Sequence, residues 1–146
     1  MTRSWRSYGL VAVQFACLGA IVFSGPLLPG NPALALPAVL GVLLGVWAIL
    51  AMRIAQVAIL PEVRPGAQLV TRGPYRLIRH PMYSALLIFT LALVLAAPLW
   101  WRWLLWLILL VNLVVKLRYE EGMLQRSFPD YAAYMRRTWR IVPWVW

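Results

Sequence analysis

The chain has 146 residues, of which 63% are hydrophobic and 12% charged, and its formal net charge is +10. Soluble domains are on average about half apolar and about a quarter charged, and a chain this short leaves much of its surface exposed. A soluble monomer is therefore excluded, as is a disordered chain, which needs low hydrophobicity; what remains is an integral membrane protein.

Thirteen of the 14 basic residues are Arg, and they flank apolar runs instead of forming one patch. They read as topology signals and headgroup contacts, and no polar domain is present to bind nucleic acid. The single cysteine, Cys17, lies inside an apolar run, so no intrachain disulfide can form.

Arg3 and Arg6 precede the first apolar run, Tyr8–Leu28, whose most polar member is Gln14. Ala33-Leu34-Ala35 has the form of a signal-cleavage site, but a run of about 20 residues is long enough to span, whereas a signal core has ~7–15. Pro29-Gly30-Asn31-Pro32 is an uncharged turn. Ala33–Met52 is the second span, with Arg53 at its end and a helical continuation up to Leu60. Pro61–Pro81 is polar and punctuated by Pro65-Gly66 and Gly73-Pro74, which predicts a structured loop or short strand-like pieces. Met82–Ala97 is the third span, and Pro98 makes a tight turn. Trp100, Trp101, Trp103 and Trp106 form an aromatic belt, with Arg102 at the tip on the far side of the membrane. The fourth apolar run, Trp103–Val115, falls short of the ~20 residues a crossing needs, so it either borrows its flanks or does not fully span.

The expected fold is thus all-α and membrane-embedded, with four transmembrane helices, the last two a tight hairpin. Residues 1–146 form one membrane domain: an N-terminal helical hairpin over 1–60 and a core over 61–146. Arg3 and Arg6, the five Arg less one Glu of the central loop, and the six basic less three acidic residues from Lys116 onward all lie on one side if there are four spans. The positive-inside rule makes that side, with both termini, cytoplasmic, and the inner or plasma membrane is the expected location.

Two constellations meet at that face. One is Arg79-His80-Pro81-Met82-Tyr83, preceded by Gly73-Pro74-Tyr75; the other is Glu120-Glu121-Gly122-Met123-Leu124, followed by Phe128, Tyr131 and Tyr134. His80 is the only histidine, and Pro81 suits a first helical turn. The free N–H groups of such a helix start favour an anionic group, and the Tyr rings suit an aromatic ring such as adenine. Asn112, Lys116, Glu120 and Leu124 recur every four residues and so share one helix face. Polar residues inside a span face the protein interior or a cavity. This face is therefore expected to look at the His80 loop across a cytoplasmic pocket, while Glu121, about 100° away, makes a surface pair.

Together these residues resemble the isoprenylcysteine carboxyl methyltransferase family and its phospholipid methyltransferase relatives, over roughly residues 66–143. The resemblance rests on Leu69-Val70-Thr71-x-Gly73-x-Tyr75, on Arg79-His80-Pro81-x-Tyr83, and on Glu120-Glu121-x-x-Leu124 with Phe128, Tyr131 and Tyr134. It implies a membrane enzyme that methylates a lipophilic small molecule or lipid with S-adenosyl-L-methionine. The cofactor contacts it implies are Ala67, Gln68, Leu69, Val70, Tyr75, His80, Pro81, Met82, Tyr83 and Glu120. It places Lys116 toward an acceptor carboxylate. Asn112, one turn away on the same face, is a further candidate for the substrate, and Lys116, Glu120 and Arg79 are the candidates for the chemistry; no metal is expected.

The chain departs from the family pattern at Lys116, where an arginine is usual, and a point charge is not equivalent to a bidentate fork. Ala67, Ala85 and Pro129 depart as well. The acceptor stays open between a prenylcysteine carboxyl, a phospholipid amine and a lipophilic thiol. Outside this class stand an NADPH-dependent sterol-type reductase, whose chains are much longer, and a non-enzymatic membrane protein.

Overall fold

In the computed structural model, which describes residues 5–52 and 68–145, four long helices are followed by one short one. They are α1 (Trp5–Phe23), α2 (Pro32–Met52), α3 (Pro81–Ala96), α4 (Trp100–Ser127) and α5 (Tyr131–Met135). A 3₁₀ turn at Gly73–Arg76 precedes α3. Among the described residues there is no strand, only an isolated parallel bridge between Ile78 and Trp139.

Local chemistry explains the boundaries. Asn31 starts α2: its side chain accepts from the Ala33 N–H at 2.9 Å, and Pro32 occupies the position where a missing N–H costs nothing. Pro81 does the same for α3 after the capping residue His80, whose side chain makes no capping bond. Only Ala97, Pro98 and Leu99 separate α3 from α4, so the tight hairpin is present. Gly73 has φ +59°, and a Cβ there would lie 2.8 Å from Ala51 Cβ, so the glycine lets this turn sit against the end of α2.

Four helices occupy the positions of the four expected spans, and they differ in length. Three helices, α1, α2 and α4, are long and apolar enough to cross a membrane. The fourth run does not fall short: α4 takes in the tryptophans before it and the polar residues after it, and its 28 residues reach about 42 Å. The shorter helix is α3, at 16 residues or about 24 Å, bounded by Pro81 and Pro98. It is also the most enclosed, with nine buried residues, including Leu87, Leu93 and Val94. The backbone of α3 comes so close to α2 that a Cβ on Gly41 would meet Phe89 N at 2.9 Å and Ala85 O at 3.0 Å. The expected continuation of α2 to Leu60 lies outside the described residues.

A core of Cys17, Tyr83, Leu87, Leu109, Leu113, Leu117 and Ile141 joins α1, α3, α4 and the C-terminal segment. The outer faces of α1 and α2 stay apolar and exposed, Leu36, Leu43 and Leu50 among them, as a lipid-facing surface requires.

Arg102 is fully buried, not a tip residue on the far surface. Its Nη2 donates to Ile21 O at 2.9 Å and its Nη1 to Ala97 O at 3.1 Å, which ties the last turn of α1 to the end of α3. Ile21 O also accepts from Ser24 Oγ at 3.2 Å and Ala97 O from the Leu99 N–H at 2.9 Å, so Arg102 adds a second donor to each, and a cation suits the negative end of each helix dipole. Arg102→Met is expected to cost about 2–3 kcal/mol, read as a lowered unfolding midpoint in detergent. An unchanged midpoint would show that the bridge does not hold the helix ends.

Candidate functional site

At the opposite end of α4, about 27 Å from Arg102, charged and polar residues from four segments converge. Tyr83 on α3 donates its hydroxyl to Glu120 Oε1 at 2.6 Å. The His80 ring stacks on Tyr83, with centroids 5.3 Å apart and planes 4° from parallel. His80 Nδ1 lies 3.5 Å from Glu120 Oε2, and Nε2 lies 3.6 Å from Glu121 Oε1. Both imidazole nitrogens thus face a carboxylate. Burial disfavours the imidazolium, but hydrogen bonding and charge from Glu120 and Glu121 outweigh it, so the His80 pKa is raised above its ordinary 6.5.

Glu121 is the structural centre of this cluster, which corrects its expected place in a surface pair. It is 3% exposed. Arg79 Nε donates to its Oε1 at 2.7 Å, and Arg140 Nε donates to its Oε2 at 3.0 Å. Arg79 also donates from Nη1 to the carbonyls of Met135 and Thr138 and to Thr138 Oγ1. Arg79 is therefore bound up in holding the fold here, its Nε and Nη1 both committed. The sequence carried a signal for this: Leu109, Leu113, Leu117 and Glu121 recur every four residues, and the three leucines are fully buried. An acid that extends a buried stripe is itself buried and needs cations.

The helix face of Asn112, Lys116 and Glu120 divides between two neighbours. Only Glu120 reaches the His80 loop. Asn112 Nδ2 donates to Leu10 O at 3.0 Å, and Lys116 Nζ donates to Gln14 Oε1 at 2.9 Å, both on α1. These bonds bring α1 into the space where the sequence suggested a pocket. Lys116 still touches the site, because its ammonium lies 5.4 Å from the Tyr83 ring centroid. Of the two carboxylates, Glu120 is the more open, with 17% of its side chain exposed against 4% for Glu121.

Other expected residues are placed as follows. Pro81 is buried at the first turn of α3, and Met82 is half-buried. Tyr75 is buried, and its carbonyl accepts from Tyr134 Oη at 2.7 Å. Gln68 is exposed, Leu69 and Val70 are half-buried, and Ala67 lies outside the described residues. An open groove of about 610 Å³ between the end of α4 and α5, lined by Phe128, Pro129 and Met135, contains none of these residues. Among the described residues no group of His, Cys, Asp and Glu could hold a metal ion.

The C-terminal segment was not expected to build the site, yet it straps the His80 loop. Arg79 N donates to Trp139 O at 2.7 Å, His80 N to Arg140 O at 3.0 Å, and Trp139 N to Leu77 O at 2.9 Å. Ser84 Oγ donates to Ile141 O at 2.7 Å. The strand-like piece expected before Pro81 is this short pairing.

Residues 33–131 match the family model described as phospholipid methyltransferase. No curated protein and no solved structure matches the chain.

Two outcomes follow from the cluster. Glu121→Gln leaves Arg79 and His80 buried beside a neutral amide and is expected to cost about 3–5 kcal/mol, more than Glu120→Gln, in unfolding midpoints measured in detergent. The reverse order would remove Glu121 from the centre. A raised His80 pKa contributes stability that is fully present below about pH 6.5 and fades as pH rises through the folded value. The stability advantage of wild type over His80→Gln should therefore shrink as pH rises above about 6.5; an advantage that grows with pH would contradict the pairing.

Proposed function

The chain belongs to the phospholipid methyltransferase family of membrane methyltransferases, and from that premise we propose that it transfers a methyl group from S-adenosyl-L-methionine to a lipid-borne acceptor. The supporting observation is the convergence of His80, Tyr83 and Glu120 from a loop, α3 and α4. These residues suit the cofactor. His80 Nε2 is buried, and Glu121 Oε1 at 3.6 Å lies beyond full hydrogen-bond distance; Glu120 offers a part-open carboxylate to hydroxyls, an ammonium or a sulfonium. Gln68, Leu69, Val70, Tyr75, Pro81 and Met82, with Ala67, complete the proposed contacts.

When bound, the cofactor supplies a methyl group on a positively charged sulfur, activated for in-line displacement. The protein's tasks are to hold acceptor and donor in line and to exclude water. The buried His80–Tyr83 stack gives a flat, dry wall, and Glu120 gives a fixed negative charge beside it.

Between a carboxylate and an amine acceptor, the geometry favours the amine. Lys116, the cation that a carboxylate would need, points to Gln14 on α1. The more open of the two carboxylates, Glu120, attracts an ammonium and repels a carboxylate. An amine must also lose a proton before it attacks, and Glu120 is placed to take it. The second reading, prenylcysteine carboxyl methylation, keeps one observation in its favour: Lys116 lies against Tyr83. In either case the site sits at the cytoplasmic end of a four-helix membrane domain with both termini cytoplasmic, where a water-soluble cofactor and a bilayer-borne acceptor can meet.

The test uses the purified chain in nanodiscs with labelled S-adenosyl-L-methionine, offered phosphatidylethanolamine or a prenylcysteine. Label in a base-stable phospholipid supports the amine reading, and label in a base-labile ester supports the carboxyl one. No label in either, with no binding of S-adenosylhomocysteine by calorimetry, would overturn the proposal. Tyr83→Phe and His80→Ala should each weaken S-adenosylhomocysteine binding by about 1–3 kcal/mol.

A further inference from the structure

Residues 132–145 lie beyond the family match, yet they supply the second cation on Glu121 and three backbone bonds to the loop that carries His80. We propose that Arg140 is a positioning residue of the methyl-transfer site: acting through Glu121, it sets the orientation and charge balance of His80, and it makes the C-terminal strap part of the site. This rests on the functional reading above and adds to it a residue and a segment.

The geometry gives Arg140 two holds on one histidine. Its carbonyl accepts the His80 backbone N–H at 3.0 Å. Its guanidinium occupies Glu121 Oε2 at 3.0 Å, while Oε1 receives Arg79 at 2.7 Å and faces His80 Nε2 at 3.6 Å. Backbone and ring of His80 are thereby referred to the same residue. The neighbouring strap bonds, Ser84 Oγ to Ile141 O and Tyr134 Oη to Tyr75 O, fix the loop on either side.

Charge gives the arrangement a consequence that packing alone would not. The groups facing His80 are Glu120 and Glu121 from α4 and Tyr83 from α3, with Arg79 from its own loop and Arg140 from the strap acting through Glu121. With both arginines present, Glu121 is fully countered, and Glu120 remains the carboxylate that dominates the His80 imidazole. Without the Arg140 charge, Glu121 is countered by Arg79 alone. The field at His80 turns more negative, and the imidazolium is held to higher pH. His80 then leans toward Glu121 and away from the cofactor-facing side of Glu120.

His80 is the only histidine in the chain, so histidine-labelled full-length protein in micelles gives one imidazole titration by NMR. Arg140→Gln is expected to raise the His80 midpoint by at least about 0.5 unit and to weaken S-adenosylhomocysteine binding about three- to ten-fold. Arg140→Lys, which keeps the charge, should restore most of both. Arg137→Gln, an exposed arginine of the same segment, should change neither. Equal midpoints and affinities for the Gln variants at 140 and 137 would overturn the proposal. So would lost binding in Arg140→Gln with the His80 midpoint unmoved, since that is what a merely structural strap gives. If the Gln variant does not fold, Arg140→Lys carries the test: a folded Lys variant whose midpoint moves by the full expected amount overturns the charge role. If the wild type binds no S-adenosylhomocysteine while the midpoint still moves as expected, the methyltransferase reading fails and the Arg140–Glu121–His80 coupling stands.

Discussion

One buried carboxylate, Glu121, holds the His80 end of this protein together. It receives Arg79 from the loop before α3 and Arg140 from the C-terminal segment, and it faces His80 across 3.6 Å. A carboxylate taken out of water costs several kcal/mol unless its partners follow it in. Here they follow from two other parts of the chain, so satisfying one charge fixes the relative positions of α4, the His80 loop and the tail. The charge is better seen as a device that selects one arrangement than as a source of net stability, because a well-packed apolar group could stabilise α4 as well.

The fixed end then determines what its neighbours can do. Because Glu121 binds the arginines, Glu120 one residue earlier is left with a histidine and a tyrosine hydroxyl, and it keeps partial contact with the outside. Two adjacent acids thus take separate roles, one sealed in a structural ion cluster and one available at a surface. The same α4 serves α1 through Asn112 and Lys116, whose hydrogen bonds to Leu10 and Gln14 replace any pocket between the helices. Lysine tilts toward the N-terminus of its helix, as every helical side chain does, so Lys116 reaches down into the bundle.

Most of this was legible in the sequence where local rules decide it. Pro81 after His80 and the Pro98 hairpin both appear as written, and of the every-fourth-residue polar face of α4 Glu120 meets the His80 loop. The errors came where tertiary partners decide. Trp103–Val115 looked too short because an apolar count stops at the first polar residue, whereas helix hydrogen bonding continues through Lys116, Glu120 and Glu121 as long as partners await them. Arg102 looked like a surface residue because nothing in the sequence announces that Ile21 O and Ala97 O end beside it. Glu121 was misplaced by following the polar stripe through Asn112 and Lys116, when the leucine stripe at 109, 113 and 117 led to it as directly. The strap was missed because an isolated bridge leaves no periodic pattern to read.

The two ends of the bundle solve the same problem with opposite charges. At one end, a buried Arg102 meets helix carbonyls that carry partial negative charge, and no ion pair is needed. At the other, full charges meet full charges around Glu121 and Glu120. Carbonyl dipoles are fixed by the helices they belong to, so the Arg102 end can do little except hold. Ion pairs around a histidine can redistribute a proton without moving any backbone, because His80 has a carboxylate at each nitrogen. The His80 end is thus the one where charge can change while the fold stays in place.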